Sequence, residues 1–142
     1  MTEHGLLSSP AMLAVAAAGG WGFWALFTKL ATRSAEPEVV LVISYLVASA
    51  LGVGYFLSTP GGLDISTADF GFAVAAGVAT GLGSIMYYTG LKYGDVGRVT
   101  TITGLYFVFS AILGVLLLRE PVTARKVIGV VLGAVAIGIL AR

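Results

Sequence analysis

Long uncharged apolar runs alternate with short polar segments along the whole chain. Five runs contain no Asp, Glu, Lys or Arg, and they cover residues 5–28, 39–58, 70–91, 99–118 and 127–141. A helix rises about 1.5 Å per residue, so about 20 apolar residues cross the roughly 30 Å hydrocarbon core of a bilayer. The first four runs reach that length. The last run is shorter, and we expect its helix to begin at about residue 123, with Arg125 and Lys126 at the lipid headgroups.

Prolines and polar capping residues between the runs indicate where the predicted helices begin. Pro10, Pro37 and Pro121 suit the first turn of a helix, where a missing backbone N–H leaves no hydrogen bond unmade. Residues 66–69 have the spacing of a capping box ahead of the third run. These signals predict an all-α integral membrane protein in which residues 1–142 form one bundle of five transmembrane helices with short loops. The spans are predicted at residues 10–31, 39–58, 70–91, 98–118 and 123–141.

Composition agrees with a membrane location and removes several function classes. Hydrophobic residues make up 58% of the chain and charged residues 11%, against about 25% charged residues in ordinary soluble domains. A net charge of +1 offers no basic patch, so we expect no nucleic-acid partner. The absence of cysteine excludes thiolate metal sites. The expected partner is therefore the lipid bilayer, and the expected location is the cell (plasma) membrane, crossed several times.

Loop charges indicate orientation only weakly. If the loops are assigned alternately to the two sides, five cationic residues fall on one side and three on the other: Lys29, Arg33, Lys92, Arg98 and Arg142 against Arg119, Arg125 and Lys126. By the positive-inside rule this favours an outside N-terminus and an inside C-terminus. The near balance is also compatible with a chain that inserts in both orientations, so both alternatives stay open.

The polar residues of the spans do not suggest an enzyme. The spans contain no Asp, Glu or His, and the single histidine is His4 in the N-terminal segment. No Gly-x-Ser-x-Gly elbow, metal-binding His/Glu spacing or phosphate-binding glycine loop occurs. We therefore expect no catalytic residue, no cofactor and no metal site. Glu120, beside Arg119 at the membrane edge, is either a solvated charge at the start of the last helix or a gating or coupling residue.

Small and polar side chains recur at helical spacing on the predicted spans. The third span carries such a stripe at Gly77, Thr80, Gly81, Ser84, Tyr87 and Tyr88, and the fourth carries one at Thr100, Thr103, Phe107, Ser110 and Gly114. On the first span Trp21, Trp24 and Thr28 share a face, and Tyr45, Ser49 and Gly52 do so on the second.

Two interpretations of these stripes compete. Small residues and hydroxyls commonly hold membrane helices together, and packing is the first interpretation for any single position. Because the stripes also carry bulky aromatic rings, we expect them to converge on a path for a small uncharged or amphiphilic solute. The candidate residues for that path are Trp21, Trp24, Thr80, Ser84, Tyr87, Tyr88, Thr100, Thr103 and Ser110.

Two glycine motifs predict close helix packing instead of solute contact. Gly129 and Gly133 on the last span are separated by three residues, as are Gly77 and Gly81 on the third. This Gly-x-x-x-Gly spacing lets two helix backbones approach closely. We expect these four glycines to pack against another helix, within the subunit or across a dimer.

Three local motifs resemble a known family. Residues 21–29 read WGFWALFTK, residues 87–95 read YYTGLKYGD, and residues 118–123 read LREPVT, six residues before Gly129. Over about residues 10–141 the chain resembles a single EamA-type repeat of the drug/metabolite transporter superfamily. It departs from the family pattern at about Phe107, where many members have a proline, so the sequence does not support the helix kink that this proline implies.

The resemblance implies a transporter that works by alternating access. Larger relatives carry two five-helix repeats in opposite orientations around a central solute path. Since this chain has one repeat, the resemblance implies an antiparallel homodimer or a second homologous membrane subunit. The expected solute is a metabolite or an amphiphilic small molecule. The alternative is a non-transporting membrane subunit that stabilises or regulates a partner protein.

Overall fold

All the regular secondary structure in the described part of the chain is helical. In the computed structural model, residues 9–141 are described, and they contain six helices and no strand. The helices are α1 (Pro10–Ala31), α2 (Pro37–Ser58), α3 (Thr67–Tyr93), α4 (Val96–Thr103), α5 (Tyr106–Leu118) and α6 (Ala124–Leu140). The chain divides after Lys92 into two compact units. The N-terminal unit contains α1, α2 and all but the last residue of α3, and the C-terminal unit contains α4, α5 and α6.

Local capping chemistry explains where α1 and α3 begin. Ser9 caps α1 by accepting a hydrogen bond of 3.2 Å from the backbone N–H of Met12. Before α3, the Ser66 hydroxyl accepts a 3.1 Å bond from the backbone N–H of Asp69. The same hydroxyl donates to the Asp69 carboxylate at 2.7 Å. Ser66 and Asp69 thus have the spacing of a capping box and bond to each other. In a full capping box the acidic side chain accepts from the backbone N–H of the first residue, whereas here it accepts from the Ser66 hydroxyl.

Four helical stretches among residues 9–141 are long and apolar enough to cross a membrane: Pro10–Ala31, Pro37–Ser58, Thr67–Tyr93 and Val96–Leu118. The fourth stretch joins α4 and α5. Length and composition thus confirm an all-helical protein with four candidate spans. α6 has 17 residues, which correspond to about 26 Å, and its crossing of the membrane stays a prediction.

The fourth stretch is locally irregular, whereas the sequence predicts one uninterrupted helix over residues 98–118. The α-helix is interrupted at Gly104 and Leu105. There the N–H of Leu105 bonds the carbonyl of Ile102 at 3.0 Å, and the N–H of Phe107 bonds the carbonyl of Gly104 at 3.2 Å. These bonds span three residues instead of four, which is the pattern of the tighter 3₁₀ turn. The irregularity therefore arises without a proline.

α5 ends at a residue with a left-handed backbone. Arg119 has φ 54° and ψ 33°, and it is the only non-glycine residue with positive φ in the described part of the chain. The carbonyl of Gly114 accepts hydrogen bonds from the N–H groups of Arg119 and of Glu120, the latter at 3.1 Å. A left-handed residue other than glycine costs about 1–2 kcal/mol. In return the carbonyl of Gly114 receives two backbone donors at the helix end, and Pro121 follows Glu120 directly.

Phe107 and Gly133 bring α5 and α6 close together in the C-terminal unit. A Cβ built on Gly133 would lie 2.5 Å from Cζ of Phe107, which is closer than two carbon atoms pack. The missing side chain of Gly133 therefore makes room for the ring. A Cβ on Gly129 would meet no atom within 4 Å, so a packing role for Gly129 against another subunit stays a prediction.

We predict that Gly133→Ala lowers the Tm of the purified protein in detergent, measured by circular dichroism. The added methyl group displaces the half-buried Phe107 ring, so we expect a loss of about 1 kcal/mol, the low end of the range for overpacking a core. Gly138→Ala is the matched control, because it adds the same methyl group to open space on the same helix, and it should leave the Tm unchanged or raise it. Adding Phe107→Leu, which has no Cζ, should restore much of the loss. Equal Tm values for the two alanine variants would contradict this packing.

Candidate functional site

Three aromatic side chains of α1 and α3 pack together in the N-terminal unit. The Trp24 ring stacks on Tyr87, with ring centroids 4.9 Å apart and planes inclined by 13°. The Trp24 Nε1–H donates a 3.0 Å hydrogen bond to Oη of Tyr88. Tyr87 and Tyr88 are both buried. This Trp24 cluster (Trp24, Tyr87 and Tyr88) fixes both the plane and the polar edge of the indole.

A second polar contact joins α2 to the same face of α3. The hydroxyl groups of Tyr45 and Ser84 share a hydrogen bond, and Ser84 is buried. Ser84 lies three and four residues before Tyr87 and Tyr88, which is one helical turn. This stripe of α3 therefore meets α1 and α2 together. Interhelical hydrogen bonds of this kind contribute about 0.6 kcal/mol on average in membrane proteins, and at most about 1.7 kcal/mol.

Charged residues connect the helices at one end of the N-terminal unit. The Lys29 ammonium donates a 2.6 Å hydrogen bond to the carbonyl oxygen of Leu91, near the C-terminus of α3, where the helix dipole favours a cation. Lys92 forms an ion pair with Glu36, which precedes the first turn of α2. At this end of the unit, polar contacts thus join α1 to α3 and α3 to the start of α2.

A groove with a volume of about 730 Å³ lies between α1 and α2. Small-molecule sites commonly measure about 300–1,000 Å³. The wall includes Gly20, Phe23, Trp24 and Phe27 of α1 and Ile43 and Ser44 of α2. We call this site the α1–α2 groove.

The polar side chains of the α1–α2 groove are largely occupied within the protein. The Ser44 hydroxyl donates to the carbonyl of Val40 at 2.8 Å, and the Trp24 N–H is bonded to Tyr88. Thr28, a third polar residue of the wall, is buried. The groove therefore presents mainly carbon surface, with the indole of Trp24 as a rigid part of its wall.

The other residues proposed for a solute path lie outside the Trp24 cluster. Trp21 is 60% exposed, and Thr80 is exposed on α3. Three further candidates belong to the C-terminal unit, where their side chains are exposed: Thr100, Thr103 and Ser110. The structure thus gathers four of the nine candidates, namely Trp24, Ser84, Tyr87 and Tyr88. A path role for any of the nine stays a prediction.

The Gly-x-x-x-Gly motif of α3 has no partner within the described residues. A Cβ on Gly77 or on Gly81 would meet no atom within 4 Å. Their proposed packing role therefore stays a prediction that concerns a second subunit.

Sequence reasoning missed the apolar part of the α1–α2 groove. Phe23 and Phe27 are one turn apart on α1, and their rings lie 6.3 Å apart with planes inclined by 23°. The search for small and polar stripes passed over them because they carry no polar atom. The sequence spacing could have revealed them, since residues 23, 24 and 27 lie on one face of a helix and therefore border the same groove.

Glu120 forms an ion pair with Lys126 at the connection between α5 and α6. Its carboxylate lies against the backbone of Gly114, where an added Cβ would be 3.1 Å from the carboxylate carbon. A gating or coupling role for Glu120 stays a prediction. Among residues 9–141, no group of three or more His, Cys, Asp or Glu could hold a metal ion. His4 lies outside these residues.

Comparison with known proteins decides the family. The model of the EamA-like transporter family matches residues 8–142, which is nearly the whole chain. The chain belongs to the EamA-like transporter family. This confirms the resemblance seen in the three sequence motifs. Family membership and the four membrane-length helices together indicate a multi-pass membrane protein.

A Sinorhizobium protein described as an uncharacterized transporter in the cobO 3′ region is similar to this EamA-like chain. The two are 27% identical over 127 residues, and the match covers 78% of this chain and 88% of the relative. No solved structure matches the chain.

We predict that Tyr88→Phe lowers the Tm of this EamA-like protein, because it removes the acceptor of the Trp24 N–H. The expected loss is about 0.6–1.7 kcal/mol, the range of interhelical hydrogen bonds in membranes. Thermal unfolding in detergent measures the loss. Tyr93→Phe is the control, since Tyr93 is an exposed tyrosine at the end of the same helix, and its Tm should not change.

A double-mutant cycle identifies the bond itself. In a Trp24→Phe background, Tyr88→Phe should have little further effect, because no indole N–H remains to be satisfied. If the two losses simply add, the hydrogen bond does not contribute to stability.

Proposed function

We propose that the protein is a small membrane transporter that moves a metabolite or an amphiphilic small molecule by alternating access. Family membership and the description of the Sinorhizobium relative support a membrane transporter in general. The proposal of a solute path rests on the indole of Trp24. It is held rigidly on the wall of the α1–α2 groove, and this groove lies between two helices of membrane length.

The chemistry of the groove fits such a solute. Because Tyr87 and Tyr88 hold the indole in place, little side-chain freedom is lost when a solute packs against it. The carbon surface of the wall suits an apolar body. Ala31 and Ala35 extend the groove to the stretch of chain that carries Lys29 and Glu36, so a polar group of the solute would meet the charged end of the unit.

Alternating access requires a second half, for which we propose a second copy in the opposite orientation. If α6 also crosses the membrane, five spans place the termini on opposite sides, and two oppositely inserted copies form an inverted pair. The relative is matched over 88% of its length, so the transporter description belongs to a chain of similar size. Gly77, Gly81 and Gly129 have open space around them and offer close approach to a partner helix. A second homologous subunit would serve the same purpose, and we place the assembly in the plasma membrane.

We predict that each terminus is found on both sides of the membrane. Reporter tags fused separately to the N-terminus and to the C-terminus measure this in cells that express the chain alone. A single orientation for both tags would contradict the antiparallel homodimer and would favour a distinct partner subunit.

We predict that Gly20→Leu lowers transport at least tenfold in liposomes that contain the purified protein. The assay uses a panel of radiolabelled amino acids and fluorescent lipophilic dyes. The added side chain occupies the α1–α2 groove, and since a Cβ at Gly20 meets no atom within 4 Å, folding should be preserved. Gly19→Leu is the matched control, because Gly19 is equally open and does not line the groove.

Two outcomes of this assay would count against the proposal. Equal transport by both leucine variants would remove the groove from the path. If the unaltered protein neither binds nor moves any compound of the panel, a non-transporting membrane subunit becomes the better account.

A further inference from the structure

A second groove lies between α5 and α6 in the C-terminal unit. It has a volume of about 260 Å³, and its wall is formed by apolar side chains that include Ala111, Val115, Val127 and Val130. Lys126 is the one polar residue of the wall. The site, which we call the α5–α6 groove, is therefore an apolar channel with a cation at one end.

The segment that carries Lys126 has an excess of positive charge. Residues 119–126 contain Arg119, Arg125 and Lys126 against the single acid Glu120, so the segment has a net charge of +2. Lys126 donates one hydrogen bond to the Glu120 carboxylate. An ammonium group has three N–H donors, and the Lys126 side chain is 30% exposed. Lys126 can therefore serve a second acceptor without giving up its ion pair.

The position of the charges matches the level of lipid headgroups. α5 ends at Leu118 and α6 begins at Ala124, so Lys126 stands in the first turn of α6, where the predicted last span enters the membrane. The apolar wall extends from there along both helices. The Glu120 carboxylate stays on the Gly114 backbone, and Gly114 does not line the groove. The acid therefore does not occupy the channel.

We propose that the α5–α6 groove binds an anionic glycerophospholipid. One acyl chain lies along the valine-lined wall, and the phosphate accepts hydrogen bonds from Lys126 beside the positive charge of Arg125. The charge of residues 119–126 selects the class of lipid. An apolar wall alone accepts the acyl chain of any lipid, whereas a net charge of +2 favours an anionic headgroup over a zwitterionic one. Basic sites between membrane helices bind such headgroups in general, with each nearby cation adding to the attraction.

The test measures lipid retention by the purified full chain with native mass spectrometry. Phosphatidylglycerol is compared with phosphatidylcholine of identical acyl chains, and we expect phosphatidylglycerol to bind on the order of 10-fold more tightly. Lys126→Gln should reduce this preference to about 2-fold or less. Arg98→Gln is the matched control: it removes one cation near the start of α4, outside the groove, and should keep the preference. Arg125→Gln replaces Lys126→Gln if circular dichroism shows that the latter is misfolded.

A second variant tests the apolar wall separately from the charge. Ala111→Leu fills the groove and leaves every charge in place, and it should weaken retention of both lipids. Three results would overturn the proposal: equal binding of the two lipids by the unaltered chain, equal loss of preference in Arg98→Gln and Lys126→Gln, or full retention by Ala111→Leu. Displacement of phosphatidylglycerol by an equal concentration of glycerol phosphate would also overturn it, because that result identifies a site for free phosphate.

Discussion

A polar group at membrane depth has to find its partner within the protein, because hydrocarbon offers none. The N-terminal unit follows this constraint closely. The indole of Trp24 is bonded to Tyr88, and the hydroxyl of Tyr45 to Ser84. Ser44 bonds the carbonyl one turn before it on its own helix. Among the described residues, no buried side-chain nitrogen or oxygen lacks a hydrogen-bond partner. Since apolar faces gain little by leaving lipid for another helix, these few bonds and the stacked rings determine how α1, α2 and α3 meet.

The same constraint shapes the groove that we assign to the solute. Because Trp24 and Ser44 direct their polar atoms into the protein, the surface that they leave to the groove is mostly carbon. Such a wall discriminates only weakly between apolar groups, and a polar group that packs against it without a hydrogen-bond partner loses free energy. The C-terminal unit differs, since four of the six charged residues that the structure describes in it lie within residues 119–126, from the end of α5 to the first turn of α6. There Arg119 takes a left-handed backbone, and Glu120 turns back onto Gly114.

The sequence predicts the helices of this protein better than it predicts their contacts. Uncharged runs of about 20 residues indicate membrane-length helices, because length and charge depend only on the residues themselves. Helical spacing likewise placed Ser84, Tyr87 and Tyr88 on one face. It could not pair Ser84 with Tyr45 or Trp24 with Tyr88, since those contacts depend on how separate helices meet. The 3₁₀ turn at Gly104 was missed for a different reason: no proline marks it in the sequence, and the apolar run continues through it without a charge.

The water accessibility of the α1–α2 groove tests the central claim most directly. The chain contains no cysteine, so Gly20→Cys places a single thiol on the wall of the groove, and Gly19→Cys places one beside it outside the groove. A maleimide reacts with the thiolate, which forms where water reaches the sulfur. In liposomes, the account predicts faster labelling at position 20 than at position 19, and slower labelling at position 20 when a transported solute is present. Equal labelling at both positions, or no protection by the solute, would contradict it.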